Sequence, residues 1–178
     1  MRTKKTAKFA AAVAVGAALV MTTPGASHAA DTGPFYLKNA HSNKCLEIEN
    51  SSKVNGANAQ QWSCVGQSGA KWKLRSLGNG EYLFINVGSG KCLEVENGWR
   101  HVGAPIQQWT CNANLGHHKW KIREWTGSGG DFWLSNVGTG YLAEVENSWT
   151  HDGAPVQQWS GAMFPSDAPG QLWYLISP

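Results

Sequence analysis

A glutamate, a glutamine and a tryptophan recur three times along the chain at a fixed spacing. In every case the tryptophan follows the glutamate by fifteen residues, and the glutamine lies two residues before the tryptophan. A carboxylate accepts strong, charge-assisted hydrogen bonds, and an indole presents a large, rigid apolar face. Together they would form a small patch that is both polar and aromatic. The three sets are Glu47, Gln60 and Trp62; Glu94, Gln107 and Trp109; and Glu144, Gln157 and Trp159.

The chain shows no pattern that is typical of a catalytic or metal centre. It has no Ser-His-Asp set, and its closest approach to a glycosidase pair is Glu47 with Glu49, two residues apart on one predicted strand and outside any deep cleft. His117 and His118 are adjacent, but no spaced histidine motif or mixed cysteine–histidine cluster accompanies them. We therefore predict that the protein is not an enzyme and that it needs no metal and no cofactor.

These residues belong to three copies of one sequence unit, which must position them. The segment 33–50 aligns without a gap on 80–97 and on 130–147, and a matching G-A-x-x-Q-Q-W segment follows in each copy. A further tryptophan closes each copy. The repeats run over about 33–79, 80–129 and 130–178, and their closing tryptophans are Trp72, Trp120 and Trp173.

Each repeat reads as four short strands separated by turn residues. Along residues 92–96, alternation places Leu93 and Val95 on one face and both glutamates on the other. Twelve strands in three equivalent units predict an all-β fold, a closed barrel with a hairpin cap and pseudo-threefold symmetry, which is the β-trefoil. The expected core comprises the closing tryptophans with Leu46, Ile48, Leu93, Val95, Ala143 and Val145.

The second glutamine of each Q-Q-W segment alternates to the inner side of its strand. A buried amide needs hydrogen-bond partners, so we expect these residues to bond to the backbone and not to a ligand. They are Gln61, Gln108 and Gln158.

Two pairs of cysteines occupy equivalent places in repeats one and two. Repeat three has Leu142 and Gly161 at those places, so both partners are missing together. An even number of cysteines in an exported domain favours disulfides. Two bridges within repeats are therefore predicted, Cys45–Cys64 and Cys92–Cys111.

Residues 1–29 are typical of a secretory signal peptide. A basic start precedes an apolar run over residues 9–21, and Ser27 and Ala29 stand at the −3 and −1 positions of a cleavage site after Ala29. The run is shorter than the roughly 20 residues that a helix needs to span a bilayer. We therefore predict that residues 30–178 form one secreted domain that does not insert into a membrane.

The positive charge of the chain is concentrated in that leader. The formal net charge is +3, but four of the 15 lysines and arginines lie within residues 1–30, which leaves 11 basic residues against 12 acidic ones. A domain that binds nucleic acid keeps a basic patch. Nucleic acid is therefore not expected as a partner.

The combination of C-L-E-[IV]-E, G-A-x-x-Q-Q-W-x-C and a closing tryptophan resembles the ricin B-type lectin domain over essentially all of residues 30–178. The resemblance implies a carbohydrate-binding module with two or three working sugar sites, one shallow site per repeat. It assigns acceptance of sugar hydroxyls to Glu47, Glu94 and Glu144. It assigns ring stacking to Trp62, Trp109 and Trp159, and further contacts to Gln60, Gln107 and Gln157.

The sequence departs from the family pattern at three points. The family acid is aspartate, whereas all three repeats here carry glutamate, and the family Asn-Gln pair before the closing tryptophan is reduced to Gln171. The loop after the acid gains a tryptophan and a histidine in repeats two and three. We therefore expect these two repeats to be the better sites, with loop contacts from Trp99, His101, Trp149 and His151.

A second interpretation is a protein-interaction module on the same scaffold, such as a toxin adaptor or a protease inhibitor, with a separate protein as its partner. Fold alone does not separate the two. Three equal patches favour the carbohydrate ligand, because an inhibitor needs one protruding loop. The sequence does not identify the sugar.

Overall fold

The computed structural model describes residues 30–124, 130–161 and 168–178, and the predicted signal peptide lies outside them. The described chain is built from twelve short strands. Repeat one contributes β1 (Thr32–Asn39), β2 (Cys45–Ile48), β3 (Ala59–Trp62) and β4 (Lys71–Gly78). Repeat two contributes β5 (Glu81–Asn86), β6 (Cys92–Val95), β7 (Ile106–Trp109) and β8 (Trp120–Glu124). Repeat three contributes β9 (Phe132–Asn136), β10 (Leu142–Val145), β11 (Val156–Trp159) and β12 (Leu172–Ile176).

Two single-turn 3₁₀ helices accompany the strands of each repeat, one after its second strand and one before its fourth. They span Glu49–Ser51, Ser68–Ala70, Glu96–Gly98, Gly116–His118, Glu146–Ser148 and Pro169–Gln171. Within the described part of the chain, no helix has the length and apolar character that a membrane crossing requires.

Six of the strands close into an antiparallel barrel. Its order is β1, β4, β5, β8, β9, β12 and back to β1. The remaining strands form three hairpins, β2–β3, β6–β7 and β10–β11, and isolated bridges join these hairpins to one another. The three repeats thus form a β-trefoil with pseudo-threefold symmetry, as the sequence predicts.

The closing tryptophans form the centre of the core. Trp72, Trp120 and Trp173 are fully buried, together with the aliphatic residues that the alternation predicted. Each indole N–H donates to a carbonyl in the first strand of its own hairpin, at 2.9–3.0 Å. These bonds tie each hairpin to the barrel while satisfying a polar group that burial would otherwise leave unpaired.

Both predicted disulfides are present. Cys45–Cys64 and Cys92–Cys111 join Cα atoms 5.4 and 4.9 Å apart, and each links the start of a hairpin to the segment that follows it. In repeat three a β-carbon built on Gly161 would lie 3.3 Å from Cδ1 of Leu142. The side chain of Leu142 therefore lies in the place of the third bridge.

Candidate functional site

The three hairpins bring each predicted glutamate, glutamine and tryptophan together. Each glutamate lies in the first strand of its hairpin, directly opposite the glutamine of the second strand, and the tryptophan ends that second strand. The cross-strand pairs are Glu47 with Gln60, Glu94 with Gln107, and Glu144 with Gln157.

The glutamates and the tryptophans of these sets differ sharply in exposure. Glu47, Glu94 and Glu144 are only 5%, 3% and 6% exposed, whereas Trp62, Trp109 and Trp159 are 39%, 44% and 38% exposed. A buried carboxylate therefore lies beside an indole that solvent can reach. In repeat three the two border a depression of about 460 Å³, which Gln157 and Gln171 also line.

The second glutamate of each C-L-E-x-E motif does not share the strand of the first. Glu49, Glu96 and Glu146 begin the 3₁₀ turn that follows the strand, because the strand ends one residue earlier. The prediction that both glutamates alternate along one strand is therefore wrong, because only the first of them lies in the strand. Each hairpin therefore carries a single buried carboxylate.

In repeat one the buried carboxylate receives a hydrogen bond from a residue that the sequence analysis does not single out. Nε2 of Gln67 donates to Oε2 of Glu47 at 3.2 Å and to the carbonyl oxygen of Ser63 at 2.9 Å. Among the described residues, Oε1 of Glu47 receives no hydrogen bond.

In repeat three the same role falls to the glutamine of the family motif. Nε2 of Gln171 donates to Oε2 of Glu144 at 2.6 Å and to the carbonyl oxygen of Ser160 at 2.9 Å. Gln157 reaches the other carboxylate oxygen only at 3.5 Å. Glu144 is thus held firmly through one oxygen, while the other keeps most of its capacity as an acceptor.

In repeat two both oxygens of the carboxylate are engaged. Gln107 donates to Oε1 of Glu94 at 2.8 Å, while Nε2 of His118 and Nε2 of His117 lie 2.8 and 3.3 Å from Oε2. His118 stands two residues before the closing tryptophan, where repeat three has Gln171, and that alignment is the signal in the sequence that could have placed it at the site.

Burial changes the acid–base properties of these groups. It raises the pKa of Glu47 and that of Glu144 above the ordinary 4.5, although the hydrogen bonds from Gln67 and Gln171 oppose the rise. Burial also lowers the pKa of His117, and the neighbouring His118 lowers it further. Repeats one and three therefore hold carboxylates that protonate more readily than an exposed glutamate.

The inner glutamines bond to backbone, as predicted, but the backbone belongs to another repeat. Gln61 donates to the carbonyl oxygens of Trp149 and His151 at 2.6 and 3.0 Å. Gln158 donates in the same way to the carbonyl oxygens of Trp99 and His101, both at 2.7 Å. In repeat two, Gln108 holds the loop of repeat one through Ser52 and Val54, at 2.8 and 2.9 Å.

Each exposed tryptophan therefore borders a loop that comes from a different repeat. Gly153, Gly56 and Gly103 have positive φ angles of 79–82°, and a β-carbon on each would lie 3.7 Å from Cζ3 of Trp62, Trp109 and Trp159 respectively. The ranking from sequence assigns each loop to its own repeat. The structure instead packs the loop of repeat three beside Trp62 and the loop of repeat two beside Trp159.

The two loops that carry an added tryptophan and histidine share one arrangement. The rings of Trp99 and His101 have centroids 5.5 Å apart, and those of Trp149 and His151 are 5.4 Å apart. Both tryptophans are exposed. They enlarge the aromatic surface beside repeats three and one, whereas the loop beside repeat two carries Ser52 and Val54 at the equivalent positions.

Comparison with known proteins identifies the family of this chain. The sequence model of the ricin-type β-trefoil lectin domain-like family matches residues 22–109 and 72–159. No curated protein sequence gives a significant match.

Solved structures add two similar proteins of at least 30% identity. The designed threefold-symmetric protein ThreeFoil is 33% identical, with a TM-score of 0.75 over 81% of this chain and 99% of its own. An exo-β-1,3-galactanase from Clostridium thermocellum is 30% identical, with a TM-score of 0.77 over 85% of this chain. This chain spans 31% of the galactanase.

A more distant similarity supports the fold alone. A ricin B-like lectin from Macrolepiota procera, solved in complex with lactose, is 15% identical, with a TM-score of 0.70 over 85% of this chain and 100% of its own.

Proposed function

Because this chain belongs to the ricin-type β-trefoil lectin domain family, we propose that it is a non-catalytic, carbohydrate-binding protein whose sugar sites lie on repeats one and three. One observation carries the proposal. In both repeats a buried carboxylate lies beside an exposed indole, and one of its oxygens receives no hydrogen bond, or only a weak one, from the described residues.

The residue types suit a sugar ring. An indole covers the apolar C–H face of the ring and loses little rotamer entropy in doing so. The hydroxyl groups at the ring edge then need fixed acceptors, and a carboxylate forms bonds stronger than those of a neutral oxygen. Trp62 with Glu47, and Trp159 with Glu144, would supply these two interactions, with Gln60 and Gln157 as further partners for hydroxyls.

Repeat two is less suited to the same ligand. Three side-chain nitrogen atoms already lie within 3.3 Å of its carboxylate oxygens. In addition, Gln107 is buried, whereas Gln60 and Gln157 are partly exposed. The loop beside Trp109 also lacks the added tryptophan and histidine. Two sites, on repeats one and three, are therefore expected in place of the pair on repeats two and three that the sequence favours.

The protein would act outside the cell. Residues 1–29 would serve as a secretory signal and residues 30–178 as the mature domain, and the two disulfides are consistent with an oxidising compartment. Its partner would be a polysaccharide or a glycoconjugate. Since one 30% identical protein is an exo-β-1,3-galactanase, β-1,3-galactan is a reasonable first polymer to try.

A glycan array tests the proposal, with isothermal calorimetry on the sugars that respond. The wild-type protein should bind a defined set of glycans, and the double variant Trp62→Ala/Trp159→Ala should lose that binding. Trp109→Ala is the matched control, because it removes an equally exposed indole from repeat two and should bind as the wild type does. A blank array from folded wild-type protein would contradict sugar binding, and equal loss in Trp109→Ala would contradict the choice of repeats.

A further inference from the structure

Repeat two differs from the other repeats at the contact between its two 3₁₀ turns. There the turn with a side chain and the turn with a glycine have changed places. In repeat one the backbone N–H of Gly69 donates to Oγ of Ser51 at 3.1 Å, and a β-carbon on Gly69 would lie only 2.7 Å from that oxygen. Repeat two has Gly98 in place of the serine and His117 in place of the glycine. The corresponding pair in repeat three is Ser148 and Gly170.

The exchange makes room for an imidazole ring. A β-carbon on Gly98 would lie 2.8 Å from Nδ1 of His117, so that a serine there, as in the other repeats, would collide with the ring. His117 therefore occupies a space that is available in repeat two because Gly98, in the neighbouring turn, has no side chain. The glycine at position 98 and the histidine at position 117 are thus sterically compatible, although they lie in separate segments of the chain.

The result is a compact cluster of two imidazoles and one carboxylate. One ligand atom each of Glu94, His117 and His118 lies within 4.8 Å of the others. Glu94 and His118 are buried, and Nδ1 of His118 has no hydrogen-bond partner among the described residues. Gln107 fixes Glu94 from its other oxygen, at 2.8 Å.

We propose that Glu94, His117 and His118 form a binding site for a divalent transition-metal ion, with Zn²⁺ as the best-suited ion. Imidazole nitrogen and carboxylate oxygen are ligands that Zn²⁺ accepts, and three protein ligands leave a fourth position of a tetrahedral ion for water. The site is independent of sugar binding, since it lies on the repeat that is least suited to a sugar.

Two of the three separations between these groups are close to what the ion requires. Metal–ligand distances of about 2.0–2.1 Å in a tetrahedron place ligand atoms roughly 3.3 Å apart. Nε2 of His117 already lies 3.3 Å from Oε2 of Glu94, and Nε2 of His118 lies 2.8 Å from it. The ligand atoms of all three groups lie within 4.8 Å of one another, so the two imidazole rings need only small side-chain movements to reach the tetrahedral spacing.

The surroundings of the cluster also favour a cation. The side chain of His117 is 21% exposed, which gives the ion a route from solvent. The carboxylate supplies a negative charge in a place where burial strengthens its attraction for the ion.

The test is a titration of the full protein, without a histidine tag, with Zn²⁺ alone. Calorimetry should show one ion bound per chain, and thermal unfolding should move to higher temperature as zinc is added. His118→Gln should lose zinc binding but keep its fold, because glutamine makes the equivalent contact with Glu144 in repeat three. His117→Ala should lose zinc binding as well.

His41→Gln is the matched control, since His41 is an exposed histidine in repeat one, and it should bind zinc as the wild type does. The imidazole nitrogen resonances of the wild-type protein should shift on zinc addition at His117 and His118, which needs no variant. Absence of zinc binding to the wild type, unchanged binding by His118→Gln, or shifts confined to other histidines would each overturn the proposal.

Discussion

Glu47 and Glu144 place a charged acceptor where its charge is poorly solvated. Burial raises the pKa of both carboxyl groups, so the folded chain takes up a proton more readily than the unfolded chain does. These two groups therefore weaken the fold at neutral pH, and the fold regains that stability as the pH falls through the raised pKa towards 4.5. Such a cost is expected where a residue serves binding and not stability.

Glu144→Gln separates the two roles. The neutral amide removes the burial penalty of the charge but accepts hydrogen bonds less strongly, so the free energy of unfolding at pH 7 should stay equal or rise while sugar binding at repeat three falls. Denaturant unfolding and calorimetry would measure the two effects. Glu124→Gln, at an exposed position outside the site, is the control and should change neither. A clear loss of stability in Glu144→Gln alone would show that the carboxylate stabilises the fold.

Sugar binding should depend on pH for the same reason. The carboxylates of Glu47 and Glu144 lose their acceptor strength on protonation, and they protonate at a pH above the ordinary 4.5. Affinity should therefore begin to fall above pH 4.5 during acidification, over the same pH range in which protonation of these groups adds stability to the fold. Calorimetry at stepped pH values would follow it. Unchanged affinity at and below pH 4.5 would exclude these carboxylates as the acceptors.

The sequence predicts which glutamates and tryptophans meet, but not what holds the carboxylates. The glutamates and tryptophans meet because a hairpin of fixed length places them on adjacent strands. The side chains that donate hydrogen bonds to the carboxylates do not come from the same position in every repeat. Gln67 precedes the closing tryptophan by five residues, whereas His118 and Gln171 precede it by two. Repeat alignment therefore finds two of the donors and misses the first.

Hairpin loops and inner glutamines act together at the scale of elements. Gln61, Gln108 and Gln158 each donate to two carbonyl oxygens in the loop of a different repeat. Alternation along the strand predicts that these amides point inward. It does not identify their partners, which lie as many as 90 residues away along the chain and meet them only when the three hairpins assemble.

Gln158→Ala should loosen the loop that borders Trp159. It removes two hydrogen bonds to partly buried carbonyl oxygens, at a cost of roughly 2–4 kcal/mol in the free energy of unfolding. Sugar affinity at repeat three should fall with it. Denaturant unfolding and calorimetry would measure both changes.

Gln108→Ala is the matched comparison for that variant. It removes the equivalent bonds from repeat two, together with one that Ser89 donates to its Oε1 at 2.6 Å. It should lose at least as much stability while leaving sugar affinity unchanged, because the loop it releases borders Trp109. Weakened sugar binding in Gln108→Ala would contradict the assignment of loops to sites.

At the scale of the whole molecule, three similar repeats support unequal sites. Closure of the barrel requires three copies, and that requirement is why three units of four strands predict the β-trefoil. The fold does not require three equal pockets, since the barrel tryptophans and not the exposed ones hold the core. Two sugar sites on one rigid body could still raise affinity for a polymer by about 10²–10⁴ through avidity.

The most direct test of the central claim is a sugar titration followed through the indole N–H resonances of Trp62, Trp109 and Trp159. With a glycan that binds, the signals of Trp62 and Trp159 should shift and saturate, while that of Trp109 stays in place. Shifts at Trp109 alone, or none at any of the three with a glycan that binds, would contradict sugar binding by the buried glutamates and exposed tryptophans of repeats one and three.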